Sequence, residues 1–171
     1  MAAGDIKAGW GADSALTITL ASLASSAGLT AGRASAAYDN STAKDPDVLV
    51  SGKITTGTSP TVGKTIEVWV VAPIEDTPTW PDVFDGTDSA ETVTSREVLM
   101  SCARLAHVIT VTATSDVTYP IAPFSVAQLF GGHMPSRFVI FVVHDTGVNL
   151  NATGSNHAIH VQPQQPTIAQ S

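Results

Sequence analysis

The stretch GTSPTVGKTIEVWVVAP, residues 57–73, distinguishes a nucleotide-binding loop from a connection between two strands. Its Gly63-Lys64-Thr65 looks like the end of a nucleotide-binding P-loop, in which four residues separate the first Gly from the Gly-Lys-Ser/Thr. Here five residues separate Gly57 from Gly63. A P-loop must also run into a helix, whose N-terminal N–H groups bind the phosphate. After Lys64, however, polar and apolar side chains alternate with the two-residue period of a strand. The motif is therefore interpreted as a loop between two strands.

Trp69 lies within this strand, between Val68 and Val70. Because successive side chains of a strand point to opposite faces, Trp69 lies on the other face from the two valines. Both faces of the strand are therefore apolar at this point. We expect one sheet face to present Trp69 to a second layer of structure.

Working outward, alternating patterns and turn residues predict about eight strands. The strongest is RFVIFVVHDTG, and the segments 47–57 and 64–73 are expected to form a hairpin around the opening motif. The other predicted strands lie within SALTITLASL (14–23), GRASAAYDN (32–40), LAHVITVTA (105–113) and NHAIHVQP (156–163).

Only short helices are expected. Residues 95–105 fit two or three helical turns capped by Ser95, with Val98, Leu99, Cys102 and Leu105 on one face. The segment PFSVAQLFGG, 123–132, fits either a short strand or a helix of one or two turns that Gly131-Gly132 stops. Residues 74–94 form a long excursion, and loops of that length are usually functional or packed on a partner.

These elements predict an all-β fold, an antiparallel β-sandwich or jelly roll with extended N- and C-terminal arms. The expected organisation is an arm over 1–13, a sandwich domain over 14–162 and a tail over 163–171. We expect the two arms to become ordered only in an assembly.

Composition narrows the function. Charged residues make up 13% of the chain, against about 25% in an ordinary soluble domain, and the mean hydropathy is +0.18. Such a surface is poorly protected against association, so we expect neighbouring chains to cover much of it.

The net charge of −7 disfavours nucleic acid as a partner, because DNA and RNA binding depends on a basic surface. No apolar run is long enough to predict a membrane span, and no secretory signal is recognised at the N-terminus.

Candidate chemistry is sparse. Asp82, Asp85, Asp88 and Glu91 suggest clustered oxygen ligands, but their spacing is wrong for an EF-hand, and a turn at Asp85-Gly86 is favoured over a calcium site. His144 is interpreted as a hydrogen-bonded structural imidazole, and Cys102 as a small buried side chain. No catalytic residue, cofactor or metal is predicted, and the chain is expected not to be an enzyme.

Three aromatic residues are the candidate interface positions: Trp10, Trp80 and Tyr119. Trp80 lies between prolines in TPTWPDVF. It is expected either to fill a pocket on a partner, as buried aromatic residues do at interfaces, or to fold back on its own sandwich. Both alternatives are open at this stage.

Several segments of the sequence also resemble a known class of proteins. The segments KTIEVWVVAP, TWPDVFDGTDSAETVTS and YPIAPFSVAQLFGGHMPSRFVIFVVHDTGVNLNATGSNHAI resemble small virion structural proteins of tailed bacteriophages, over roughly residues 14–160. Among such proteins, a small β-sandwich is most similar to a capsid decoration, or cement, protein. The resemblance implies a non-enzymatic chain, made in the host cytoplasm and placed on the capsid surface. Its implied partners are the major capsid protein and its own copies, as a dimer or trimer. The alternatives are a tail or head–tail connector component, or a carbohydrate-binding module that uses Trp80.

Overall fold

The computed structural model describes residues 5–75 and 77–169, with side chains described from residue 7 to residue 166. Eleven strands are assigned in this part of the chain: β1 (Asp5–Trp10), β2 (Ser14–Ala15), β3 (Ala31–Ala34), β4 (Tyr38–Asp39), β5 (Asp47–Thr55), β6 (Thr65–Val71), β7 (Ser89–Thr92), β8 (Ala103–Thr110), β9 (Thr118–Ser125), β10 (Arg137–His144) and β11 (Ala158–Ala169). The helices are α1 (Arg96–Cys102), α2 (Val126–Leu129) and a 3-10 turn at Gly154–Asn156. None of the described helices is long and apolar enough to cross a membrane.

The strands form two antiparallel sheets that pack together as a β-sandwich, so the predicted fold class is confirmed. The five-stranded sheet has the order β1-β11-β5-β9, with β2 also paired to β11. The six-stranded sheet has the order β7-β3-β10-β6-β8, with β4 also paired to β10.

The predicted hairpin between 47–57 and 64–73 is wrong. Both strands exist, as β5 and β6, but β5 pairs with β9 and β11 in one sheet, and β6 pairs with β8 and β10 in the other. The inward side chains of both strands meet in the same core, including Val50 of β5 and Val68 of β6. Sheets in a sandwich lie about 10 Å apart, and residues 56–64 are enough to cross that gap. The opening motif is thus a connection between layers.

The strand expected near Leu16 and Leu20 is much shorter than predicted, because β2 ends at Ala15. The following residues run along the sandwich without regular pairing, yet Leu20 is fully buried and Leu16 packs against the core. The apolar alternation therefore predicted the burial of these side chains correctly, but the strand that it predicted does not extend over them. The segment 32–40, predicted as one strand, is divided between β3 and β4.

Strand β10 is buried on both faces. Phe138, Ile140 and Val142 face the core between the sheets. Val139 and Phe141 face a second apolar cluster on the outer side of the six-stranded sheet. A strand that is buried on both faces needs a continuous apolar run, which explains why polar and apolar residues do not alternate along this segment.

The second cluster is covered by α1 and by part of the 74–94 excursion. Leu99 of α1 is fully buried, and Phe84 of the excursion meets Phe141 edge-to-face, with 5.3 Å between ring centroids. Trp69 is buried in this cluster, as expected for a residue presented to a second layer. The long loop is therefore a layer of the protein's own core.

Helix α1 begins where predicted: the Ser95 hydroxyl accepts a hydrogen bond from the Val98 N–H at 3.2 Å. The predicted helical face is only partly correct, because Leu99 is the buried residue of the helix and Leu105 lies beyond it, in β8. The ambiguous 123–132 segment contains both alternatives, since the end of β9 runs into α2, and the chain then turns at Gly131-Gly132.

The two predicted arms pair with each other. Strand β1 lies antiparallel to the end of β11, with register from Asp5 opposite Ala169 to Trp10 opposite Gln164. Pairing of β11 with β5 stops at Gln164, so the paired arms extend beyond the β5 side of the sheet as a two-stranded ribbon. Within the described residues, the extended arms therefore have a partner in the same chain, which the sequence analysis did not foresee.

Candidate interaction surfaces

Trp80 folds back on its own sandwich. It packs against the second apolar cluster and is partly buried. A side chain at Gly86 would come within about 3.0 Å of the Trp80 ring, and Gly86 also has a φ of +84°, which only glycine adopts easily. The excursion is therefore built around this tryptophan, and of the two alternatives for Trp80, the structure favours the internal one.

Tyr119 is also engaged within the chain. Its ring packs against the core between the sheets, and its hydroxyl oxygen accepts a hydrogen bond from the Thr112 N–H at 3.0 Å. This bond ties β9 to the segment that follows β8, where two edge strands of different sheets come together. The side chain thus has a structural role at this corner, and its expected interface role stays a prediction.

Trp10 is the one candidate aromatic that stays largely open, with 51% of its surface exposed. It lies at the end of β1, directly opposite Gln164 of β11. Residues opposite each other in a sheet project to the same face, so Trp10 and Gln164 share a face. Trp10 therefore remains available to a partner.

An apolar stripe on β8 was not foreseen by the sequence analysis. Leu105 and Val108 are 43% and 44% exposed, and Met100, on the helix that runs directly into β8, is 60% exposed. Leu105 lies opposite Trp69, and Val108 opposite Glu67, so both share the outer face of the six-stranded sheet. Since β8 is the edge strand of that sheet, Leu105 and Val108 lie at its margin, and together with the exposed Met100 of the preceding helix they are called the β8 stripe.

Beside the stripe lies a buried carboxylate. Glu67 accepts hydrogen bonds from two nitrogens of Arg96, at 2.5 and 2.7 Å, and from the Trp69 indole N–H at 2.9 Å. The Arg96 guanidinium lies 5.0 Å from the centre of the Trp69 ring. A sequence signal existed for this group: an acid within the apolar run TIEVWVV requires a partner if it is buried.

The acidic residues of the excursion are used separately. The Asp82 carboxylate accepts from the Thr94 N–H and hydroxyl, Asp88 accepts from Arg33, and Glu91 accepts from Ser89. Asp85 accepts from the N–H and hydroxyl of Thr87, which closes the turn predicted at Asp85-Gly86. Among the described residues, no three His, Cys, Asp or Glu side chains gather as metal ligands.

In the Gly63-Lys64-Thr65 motif, the group that is bound is a carboxylate of the same protein. Asp145 accepts from Lys64 Nζ at 3.0 Å and from the Thr65 N–H at 2.7 Å. Burial acts to raise the pKa of Asp145, but the bonds from Thr65 and Lys64 outweigh it, so the pKa lies below its usual value. These contacts fix the start of β6 to the end of β10.

Two histidines are internal hydrogen-bonding groups. His144 is fully buried, and its Nε2 donates to the Leu23 carbonyl at 3.0 Å, which confirms the structural role predicted for it. His157 donates from Nε2 to the Asn151 carbonyl at 2.8 Å. Burial lowers the pKa of both rings, and it is the largest effect on each.

Cys102 is half-buried at the end of α1, where its thiol lies 3.8 Å from the Leu99 carbonyl oxygen. Burial, followed by the nearby Asp82 carboxylate, raises the pKa of this thiol. A raised pKa disfavours the reactive thiolate. The interpretation of Cys102 as a structural side chain is therefore favoured, although the residue is half-buried rather than buried as predicted.

No protein-family model matches this chain, and no curated protein is significantly similar to it. The fold therefore defines only the structural class of the protein. It is an antiparallel β-sandwich in which helix α1 and the 74–94 excursion cover the outer face of the six-stranded sheet.

Proposed function

We propose that this chain is a bacteriophage virion structural protein, and specifically a capsid decoration protein that stabilises the head by binding capsomers. The proposal is supported by the resemblance of residues 14–160 to small virion proteins of tailed phages, together with the low charge of the chain. The structural observation that carries it is the β8 stripe. A row of exposed apolar side chains along an edge strand is a surface that other subunits bind.

The stripe and the ribbon together suit an assembly. A stable interface buries about 1,200 to 2,000 Å² in total, more than a stripe of three side chains supplies. The ribbon of β1 and β11 adds a second surface that extends from the sheet and carries the exposed Trp10. In this proposal, the β8 stripe contacts the major capsid protein, and the ribbon contacts further copies of the chain, as a dimer or trimer on the capsid surface.

Binding to emptied phage heads tests the proposal. The purified chain is expected to sediment with the heads, and the double variant Leu105→Lys/Val108→Lys is expected to lose this binding while it keeps its melting temperature. Val62→Lys is the matched control, because Val62 is also exposed, at 54%, but lies in the connection between β5 and β6. Equal binding of both variants would exclude the stripe, and a wild-type chain that fails to bind heads would contradict the decoration role.

The tail or head–tail connector alternative is tested on whole particles. A decoration protein is present in many copies over the shell, so an antibody to this chain should label the entire head in electron micrographs. Labelling confined to the tail or to one vertex would favour the tail or connector alternative.

The carbohydrate-binding alternative used Trp80 as the residue that stacks on the sugar. Trp80 packs against the second apolar cluster, so the structure does not support a sugar site built on this residue.

A further inference from the structure

A cavity of about 780 Å³ lies between residues 40–46 and residues 132–136. It lies within the volume range of small-molecule sites. The functions considered above make no use of it, and it shares no residue with the β8 stripe. Its walls come from the loop between β4 and β5 and from the loop between α2 and β10.

The walls are held in place by their own hydrogen bonds. The Asn40 amide binds the backbone of Asp45 in both directions, donating to its carbonyl at 3.0 Å and accepting from its N–H at 2.8 Å. The Asn40 N–H donates to the Ser136 carbonyl at 2.8 Å, which connects the two loops. Lys44 adopts a left-handed φ of +53° and donates its N–H to the Asn40 carbonyl. The cavity is therefore preformed.

A buried carboxylate lines this cavity. Asp45 is 5% exposed, and its Oδ2 accepts a hydrogen bond from the Tyr38 hydroxyl at 2.9 Å. Among the described residues, the Tyr38 hydroxyl is the group shown to donate to the Asp45 side chain, so this lining residue keeps further acceptor capacity.

The other polar residues that line the cavity can donate hydrogen bonds and carry no negative charge. Lys44 and His133 line the same cavity from exposed positions, and Ser41 and Ser136 contribute hydroxyls. The lining carries one negative side chain, Asp45, and one positive side chain, Lys44, whose effects on a charged ligand oppose each other, so neither an anion nor a cation is favoured by charge alone. Hydroxyl groups suit this mixture, because each one can donate to Asp45 and accept from Lys44 or a serine. Pro46 and Met134 supply an apolar part of the lining.

We propose that the cavity between residues 40–46 and 132–136 binds a neutral sugar, with Asp45 accepting from a ligand hydroxyl and Lys44 and His133 donating to ligand oxygens. The site differs from a Trp80-based sugar site in its residues and in its place in the fold. It goes beyond the decoration role, because it would give the virion surface an affinity for neutral glycans.

The test is a titration of the folded full-length chain with methyl glucoside, methyl galactoside, N-acetylglucosamine and maltose, followed by amide NMR shifts. We expect shifts from at least one sugar within residues 40–46 and 132–136, and no saturable shifts there from inorganic phosphate or methylammonium. Absence of saturable sugar-induced shifts at these loops, or a response to phosphate alone, would overturn the proposal.

Single substitutions in the two loops test whether the sugar binds in this cavity. Lys44→Ala and His133→Ala remove exposed side chains, so both variants should fold, and each is expected to weaken sugar binding about fivefold. Lys53→Ala is the matched control, because Lys53 is exposed on β5 and does not line the cavity. Sugar binding that survives both loop variants but is lost in Trp10→Ala would move the site to the ribbon of β1 and β11 and overturn the cavity assignment. Because head binding is measured separately on the β8 variants, failure of the sugar site leaves the decoration proposal standing.

Discussion

Arg96 reaches across the Trp69 ring to bind Glu67, 29 residues away in the chain, with a guanidinium nitrogen on each carboxylate oxygen. The contact joins α1 to the outer face of β6. Glu67 is only 6% exposed, and its carboxylate is bound by Arg96 and by the Trp69 N–H. Removing one member of such a pair leaves a buried charge without its counter-ion.

Arg96→Ala should therefore lower the free energy of unfolding by about 3 kcal/mol, measured by urea denaturation. The double variant Glu67→Gln/Arg96→Met should be less destabilised than Arg96→Ala, because neither charge is then left buried. If the double variant is the less stable of the two, the unpaired charge is not the cause of the loss.

Gly52→Ala should destabilise the five-stranded sheet. A Cβ at Gly52 would collide with the backbone carbonyl of Ala158 on β11, next to the irregular register between β5 and β9. Backbone atoms of a central strand cannot move aside easily, so we expect a loss of about 2 kcal/mol, within the usual range for destabilising substitutions. Gly154→Ala is the matched control, since nothing lies within 4 Å of its added Cβ, and it should change thermal stability little. Equal melting temperatures for the two variants would contradict the close approach.

Phe84→Ala should loosen the excursion from the sheet. The Phe84 ring packs edge-to-face on Phe141, and truncating a buried Phe typically costs about 3 to 5 kcal/mol. Limited proteolysis should then cut within residues 77–94 faster than in the wild type, while the paired strands β6 and β10 stay resistant. Unchanged cleavage in this loop would show that Phe84 does not hold it.

Stability should fall as the pH drops below about 6.5, the ordinary histidine pKa. Burial lowers the pKa of His144 and His157 in the folded state. The unfolded chain therefore takes up protons first, and the contribution that is fully present above pH 6.5 is lost as the pH falls toward the folded pKa values. At lower pH, loss of the charge on Asp145, whose folded pKa is also lowered, should destabilise the protein further.

Urea denaturation at several pH values, with NMR titration of the two imidazole rings, checks this dependence. His144→Gln, which cannot take up a proton at that position, should lose less stability than the wild type when the pH falls from neutral to mildly acidic. Ring pKa values at or above the ordinary value would contradict the assigned burial effect.

The sequence was sufficient for the class of fold and for several local decisions. Period-two alternation and the continuous apolar run of β10 identified several of the long strands, and Ser95 identified the start of α1, because these signals act over a few neighbouring residues. The same local argument excluded a P-loop at Gly63-Lys64-Thr65, since a strand follows it. Apolar alternation at Leu16 and Leu20 reported burial but not pairing, because any segment that lies on a core can alternate.

The pairing of the strands and the surfaces that remain open could not be predicted from local sequence and are set by the tertiary structure. The placement of β5 and β6 in opposite sheets, the pairing of β1 with the end of β11 and the inward packing of Trp80 all depend on contacts between residues distant in the chain. The same holds for the β8 stripe, which is exposed because β8 lies at a sheet edge, and for the cavity at Asp45, which forms where two separate loops meet. Local sequence determines the direction of a side chain along its strand, whereas the layer that covers it is set by the packing free energy of the whole chain.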